Sequence, residues 1–247
     1  MKRILYFDCS AGVSGDMTLG ALIHLGVSPA DLLAELRKLD VSGYEIIPDR
    51  GEMNGVTGVN LRVLLEESRE EGSGHGHRSF KSIRDMIAAS GLDEEAKRSA
   101  IGIFAVIAEA EAAVHGVPVD EVRFHEVGAV DSIIDIAGAA VCMSLLGIDE
   151  LWCSPLHDGR GHVECRHGSI PVPVPAVVEM LKGTEYLLVS EDVPTEMVTP
   201  TGMGILKGMG ARCGPMPPMR VLGAGYGFGK RDTGRFNALR VIMGEID

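Results

Sequence analysis

The stretch Phe124-His125-Glu126-Val127-Gly128-Ala129-Val130-Asp131-Ser132-Ile133-Ile134-Asp135 gathers an imidazole and three carboxylates just ahead of an apolar run, 136–148, that reads as a buried helix. A helix beginning near Asp131 sets Asp131 and Asp135 one turn apart on one face, with His125 and Glu126 on the turn that leads into it. Imidazole nitrogen with carboxylate oxygen is a donor set for a divalent ion. It suits nickel, zinc, iron or manganese and does not choose among them. The same residues also have ordinary structural uses: Asp131 can cap the helix, Glu126 favours the positive end of its dipole, and His125 can sit satisfied in a core.

A second place for chemistry lies at the N-terminus. Tyr6-Phe7-Asp8-Cys9-Ser10-Ala11-Gly12-Val13-Ser14-Gly15-Asp16 reads as a strand, a small-residue turn and a helix start. Small residues let backbone approach a ligand, and free amides at a helix N-terminus favour an anion, so Ser10, Gly12, Ser14 and Gly15 are candidates for a phosphate cradle. Asp8 and Asp16 on its two sides could hold a metal-bound phosphate. The segment is neither a Walker A loop nor G-x-G-x-x-G, and a plain turn with Ser14 as cap is the structural alternative. Thr199-Pro200-Thr201-Gly202 offers a second hydroxyl-bearing helix start, with Thr199 and Thr201 as phosphate candidates and simple capping as the other reading. His75 and His77 lie in a polar stretch and could take up metal transiently, whereas a solvated loop is the plainer expectation. His157, His162 and His167 recur in a glycine-containing segment beside Glu164 and Cys165, where Arg160 and Arg166 add positive charge for an anion.

These groups need elements to carry them. Residues 2–8 read as a strand and 14–25 as the helix after it; Ser28-Pro29 opens another helix to about Leu39. An Asn54-Gly55 turn signal centres a β-hairpin over about 44–66. Residues 66–78 read as a mobile polar loop. Helices follow over 79–90 and 93–115, the latter stopped by Gly116. After the central helix come a strand over 150–154, the glycine and histidine loop, and Ile170-Pro171-Val172-Pro173-Val174-Pro175. Those prolines predict an extended polyproline segment leading into a helix over 176–181. A strand, a short helix from Thr201 and a closing hairpin of about 220–226 with 237–245 complete an α+β fold, a mixed β-sheet packed with helices in a single domain over 1–247.

Composition narrows the function classes. A net charge of −12 argues against a phosphate-backbone partner, so no nucleic acid is expected. Five cysteines without a C-x-x-C pair suggest neither a disulfide framework nor a cysteine zinc site, and fit a reducing cytoplasm. The N-terminus is too short in apolar residues for a secretory signal, and no run reaches membrane-spanning length.

Several long segments together resemble the LarC family: Phe7 to Met17, Ala108 to Gly116, Phe124 to Ser132, Cys165-Arg166-His167-Gly168 with Pro171-Val172-Pro173, Thr199 to Gly202, and Leu239 to Glu245. The likeness runs in one order through nearly the whole chain. It implies a cytoplasmic enzyme of the lyase or chelatase type, a cyclometallase that inserts Ni²⁺ into pyridinium-3,5-bisthiocarboxylic acid mononucleotide with formation of a nickel–carbon bond. It further implies use of CTP with Mg²⁺ or Mn²⁺ through a C-terminal domain that this chain lacks, so the expected partners are the mononucleotide and a separate C-terminal domain or chain, with room for an oligomer. Members usually carry a histidine-rich loop where this chain has only His75 and His77. In that chemistry the histidine and carboxylate cluster supplies the nickel donors, the turn at Ser10 to Gly15 the phosphate site, and His125 or Glu126 the base for the departing ring proton. A nickel- or substrate-presenting module and a metal-dependent phosphohydrolase using Asp8, Asp16 and the His125 cluster are the competing readings.

Overall fold

In a computed structural model the described residues are 1–65, 78–124, 127, 129–165 and 168–247. The chain starts with β1 (Lys2–Asp8), whose Ile4, Leu5, Tyr6 and Phe7 are all buried. An unbroken apolar run is what a strand covered on both faces needs. Ser14 then caps α1 (Gly15–Leu25), and Gly26 ends it. Ser28 caps α2 (Pro29–Leu36), with Pro29 in its first turn. The residues expected to extend this helix to Leu39 form tightening turns instead. β2 (Tyr44–Met53) and β3 (Val56–Leu65) pair antiparallel from Met53↔Val56 to Tyr44↔Leu65. Asn54 and Gly55 both have positive φ, 52° and 79°, the requirement of the two-residue turn that closes such a hairpin.

The expected helices follow as α3 (Phe80–Ala89) and α4 (Glu94–His115), capped by Ser79 and Asp93, and α4 stops at a left-handed Gly116. Next comes α5 (Val130–Leu146). It touches α1, α2, α4 and the later helix Pro200–Gly208, which explains why it is apolar almost all round. Its cap position is Ala129, without a side-chain cap bond. Asp131 is therefore not the N-cap: it stands in the first turn, and its Oδ1 accepts the neighbouring Ser132 N–H at 2.8 Å.

β4 (Glu150–Cys153), β5 (Leu156–Asp158), β6 (Gly161–Cys165) and β7 (Gly168–Val172) come next. Here the sequence expectation needs correction. The segment read as a glycine and histidine loop followed by polyproline is instead an antiparallel pair, β6 with β7, running from Gly161↔Val172 to Cys165↔Gly168. Pro171 is tolerated because each strand of a two-stranded ribbon has a free edge on which a missing N–H costs nothing. α6 (Pro175–Leu181), β8 (Leu188–Ser190), α7 (Pro200–Gly208), β9 (Arg212–Cys213), β10 (Arg220–Phe228) and β11 (Ala238–Ile246) complete the chain.

Among the described residues the principal sheet is seven-stranded and mixed, in the order β2-β3-β10-β11-β1-β4-β9; β5 with β8 and β6 with β7 make two small ribbons. The α+β reading is thus the observed fold. None of the five cysteines is in a disulfide. Among the described residues no helix is long and apolar enough to cross a membrane.

The register of β11 on β1 runs from Lys2↔Ile246 to Asp8↔Arg240, which carries the chain's end back to its start and closes the connection 229–237 over the start of α1. Close contact between α1 and β10 depends on glycine. A Cβ on Gly227 would lie 1.8 Å from the Met17 carbonyl oxygen, and one on Gly225 2.0 Å from that of Ala21. We expect Gly227→Ala to destabilise the protein by about 1–3 kcal/mol, because backbone must move to admit the methyl group. Gly214→Ala, where a Cβ meets nothing within 4 Å, should stay within about 0.5 kcal/mol of the parent. Urea unfolding of both variants is the check, and equal midpoints would show that the helix does not need this approach.

Candidate functional site

Three helix starts meet at one side of the sheet. Val13 bridges to Val198 in parallel fashion, its N–H donating to the Met197 carbonyl at 2.9 Å while Thr199 N–H donates to its own carbonyl at 3.0 Å. That pairing sets the start of α7 beside the start of α1. The second turn of α5 comes against Gly15, where a Cβ would lie 2.5 Å from Asp135 Oδ2. Two cavities open beside this junction and share Glu196 and Arg231 in their walls.

The smaller cavity, about 200 Å³, is a cleft lined by Ser14, Asp16, Thr199, Lys230, Arg231 and Thr233 among others. Ser14 Oγ accepts the Met17 N–H at 3.4 Å and donates to Asp16 Oδ1. Lys230 Nζ lies 2.9 Å from Asp16 Oδ2. Arg231 reaches the Glu196 carboxylate at 2.8 Å and the Glu196 carbonyl at 2.6 Å. Thr199 Oγ1 accepts the Gly202 N–H at 3.1 Å as the cap of α7, and Thr201 is buried behind it.

The larger cavity, about 450 Å³, mixes apolar walls with metal-donor side chains. Glu111 and His115, one turn apart near the end of α4, are paired at 3.2 Å. Glu164 and Cys165 come from β6, Glu196 from the segment before α7, and Phe124 and Val127 from the chain ahead of α5. Among the described residues, no three His, Cys, Asp or Glu side chains are gathered into a metal-holding group.

The expected site residues are distributed as follows. Asp16 and Asp135 come close together at the α1–α5 contact, within electrostatic reach of Asp131, which is exposed. Asp8 is drawn elsewhere, because the β1–β11 register places Arg240 opposite it and the guanidinium Nε bonds its carboxylate at 3.1 Å. Asp8 and Asp16 thus pair with different cations, Arg240 and Lys230. Ser10 is exposed on the turn. Gly12 and Gly15 each make room for protein: Gly12 has φ +82° and a Cβ there would lie 2.1 Å from the Met197 carbonyl oxygen, while Asp135 fills the space at Gly15. His157 pairs with Glu191 at 2.6 Å, and His162 is exposed on β6. His125, Glu126, His75, His77, Arg166 and His167 lie outside the described residues, as does 66–77, which holds all but Arg78 of the expected polar loop. Phe124 and Val127, which bracket His125 and Glu126 in sequence, both face the larger cavity.

Lys230, Arg231, Glu196 and the Glu111–His115 pair escaped the sequence reading. The last had a signal, an acid and a histidine spaced i,i+4 at a helix end. Lys230-Arg231 sat in what looked like a hairpin connection, and nothing local marks Glu196.

Two buried carboxylates shape the electrostatics. Asp158 is fully buried; its Oδ1 accepts the N–H groups of Gly159, Met197 and Val198 at 2.8, 2.7 and 3.0 Å. Desolvation raises its pKa, against the lowering effect of those bonds. Asp135 keeps some exposure as a residue, yet its Oδ1 is buried with no hydrogen-bond partner among the described residues. Desolvation first, then the charges of Asp16 and Asp131, push its pKa well above the usual carboxylate range, with Lys230 opposing.

A family model described as nickel insertion protein matches residues 5–247. The chain is 49% identical over 245 residues to a pyridinium-3,5-bisthiocarboxylic acid mononucleotide nickel insertion protein of Acetivibrio thermocellus, a match covering 98% of this chain and 60% of the relative. Proteins of the same description from Geobacillus kaustophilus and Lactiplantibacillus plantarum are 45% and 44% identical, each match covering 98% of this chain and 60% and 62% of the relative respectively. The chain thus spans about 60% of the length of these relatives. No solved structure matches it.

A raised carboxyl pKa in the folded state means that the contribution to stability is complete below the ordinary carboxylate range and is lost as pH rises through the raised value. Asp135→Asn removes that loss. In chelator-treated protein its melting temperature should exceed the parent's by an amount that grows from about pH 4 upward and then levels off. A difference independent of pH would show that Asp135 ionises without penalty.

Proposed function

Because the chain belongs to the nickel insertion protein family, we propose that it carries the nickel and mononucleotide sites for insertion of Ni²⁺ into pyridinium-3,5-bisthiocarboxylic acid mononucleotide. The observation that supports this most is the pair of adjoining cavities, one lined by hydroxyls and two cations and the other by imidazole, thiol and carboxylate donors beside aliphatic side chains, sharing Glu196 and Arg231. In this reading the phosphate of the mononucleotide lies in the smaller cleft, near Ser14, Thr199 and the start of α1. The pyridinium ring extends into the larger cavity, whose apolar wall of Val163, Ile170 and Val174 suits an aromatic face.

Nickel is the reaction's cargo, and a site that passes it on must hold it less firmly than the product does. His125 and Glu126, with Glu196 and the Glu111–His115 pair, are the protein donors proposed for the incoming ion; Asp16, Asp131 and Asp135 form the acidic approach beside them. The two thiocarboxylate sulfurs of the substrate then take over the metal. Formation of the nickel–carbon bond breaks the C–H bond of the ring carbon between them, and the proton passes to His125 or Glu126 as base. His75 and His77 serve uptake. CTP, with Mg²⁺ or Mn²⁺, is assigned to the part of the relatives that extends beyond this match. The same length difference favours a second reading, in which this chain presents nickel and substrate to a catalytic segment supplied separately.

The test is reconstitution. The purified chain is incubated with Ni²⁺, CTP, Mg²⁺ or Mn²⁺ and the thiocarboxylated mononucleotide, with and without the remaining segment of a longer relative, and the nickel adduct is followed by mass spectrometry. We expect the chain alone to bind nickel and mononucleotide and to yield adduct only with the added segment. Adduct from the chain alone would place the whole reaction here. Absence of binding, with release of phosphate from simple esters, would overturn the proposal in favour of a phosphohydrolase.

A further inference from the structure

A third cavity, about 340 Å³, opens at the end of α1 and shares no lining residue with the two described above. The helix begins at the smaller cleft and ends here, about 15 Å further along its axis. The walls include His24 and Gly26 from the end of α1, Ser28 and Pro29 from the start of α2, and Pro48 and Arg50 from β2. None of the described residues lining it is an Asp or Glu, whereas both other cavities carry carboxylates, and the chain has 35 acidic residues against 23 Lys and Arg. A cavity lined by a cation and an imidazole, in so acidic a chain, is a place for an anion.

We propose that this cavity is a second anion site, which takes the phosphate group of a small ligand between the Arg50 guanidinium and the His24 Nε2–H. His24 is held in one tautomer: its Nδ1 accepts the Tyr226 N–H at 3.0 Å, so the neutral ring carries its proton on Nε2. Desolvation, then the charge of Arg50, lowers the His24 pKa, which keeps the ring neutral and sets the guanidinium within electrostatic reach of it. Arg50 has no carboxylate partner among the described residues, and the neighbouring Asp49 is taken by Arg62. A guanidinium offers several N–H groups in a fork that matches phosphate oxygens, and the imidazole adds a neutral donor. The start of α2 adds little, because Pro29 has no N–H and Ser28 Oγ accepts that of Asp31 at 3.3 Å. The two side chains therefore carry the site. Pro29, Pro48 and the ring anchored on Tyr226 set its walls before a ligand arrives, which lowers the entropy lost on binding.

Nuclear magnetic resonance of the full chain with isotopically labelled imidazole nitrogens tests this, with inorganic phosphate and ribose 5-phosphate as probes at fixed pH and ionic strength. The His24 Nε2 resonance should shift saturably with inorganic phosphate and stay in place with chloride at the same ionic strength. The same shift with ribose 5-phosphate shows that the site takes phosphate esters; its absence restricts the site to the free ion. Arg50 is exposed on the edge strand β2, so its replacement spares the core. Arg50→Gln should weaken phosphate binding at His24 about tenfold or more, and Arg50→Lys should recover part of the loss, since the charge remains while the fork is gone. Lys230→Gln alters the smaller cleft and should leave the His24 response intact, which separates this site from the phosphate position proposed for the mononucleotide. A His24 resonance unmoved by both phosphates, a shift that chloride reproduces, or undiminished binding in Arg50→Gln would overturn the site and leave the functional proposal standing.

Discussion

Asp158 accepts the backbone N–H groups of Gly159, Met197 and Val198 on one carboxylate oxygen, in a position with no exposure to solvent. Everything at the site hangs on the segment this carboxylate holds. Met197 and Thr199 bracket Val13 by backbone hydrogen bonds, so fixing 196–199 fixes the turn after β1 as well. The segment delivers Glu196 to both cavities and Thr199 to the start of α7. Burial of a carboxyl group is unfavourable unless it is hydrogen-bonded, and three converging N–H donors are what makes this one tolerable. Gly12 and Gly159 complete the arrangement, since a Cβ at either would strike the carbonyl oxygen of Met197 or Thr195.

The electrostatics around this junction follow one pattern, in which opposite charges are paired across element boundaries. Arg240 holds Asp8, Lys230 holds Asp16 and Arg231 holds Glu196, each joining the final hairpin region to an earlier part of the chain. A chain carrying a net charge of −12 thus brings two of its scarce cations, Lys230 and Arg231, to one cleft. That concentration suits an anionic ligand, and the neighbouring donors suit a metal, which fits a family described by nickel insertion.

Much of the fold was legible because its signals are local. The apolar run of β1, the Ser14, Ser79 and Asp93 caps, the Asn54-Gly55 turn and the Thr199-Pro200 helix start each depend on a few adjacent residues. The ribbon of β6 and β7 was not, because proline content hides a strand whose free edge makes proline harmless. The site was only half legible. Asp131 and Asp135 share one helix, as the spacing suggested, but the approach of Asp16 to Asp135 and the pairing of Asp8 with Arg240 come from tertiary contacts, the latter through a register set by strands at opposite ends of the chain. Gly12 and Gly15 carried an ambiguity no sequence resolves, since a small residue makes room equally for ligand or for protein, and here Met197 and Asp135 occupy it. Lys230 and Arg231 gained meaning only when the closing hairpin placed them over α1.

The division of labour between the two cavities can be read directly by anomalous diffraction at the nickel absorption edge from crystals of this chain soaked in Ni²⁺. The expected result is a peak inside the larger cavity, within bonding distance of a donor among Glu111, His115, Glu164, Cys165 and Glu196. A peak held by Asp16 and Asp135 alone, or at His157 and Glu191, with the larger cavity empty, would contradict it.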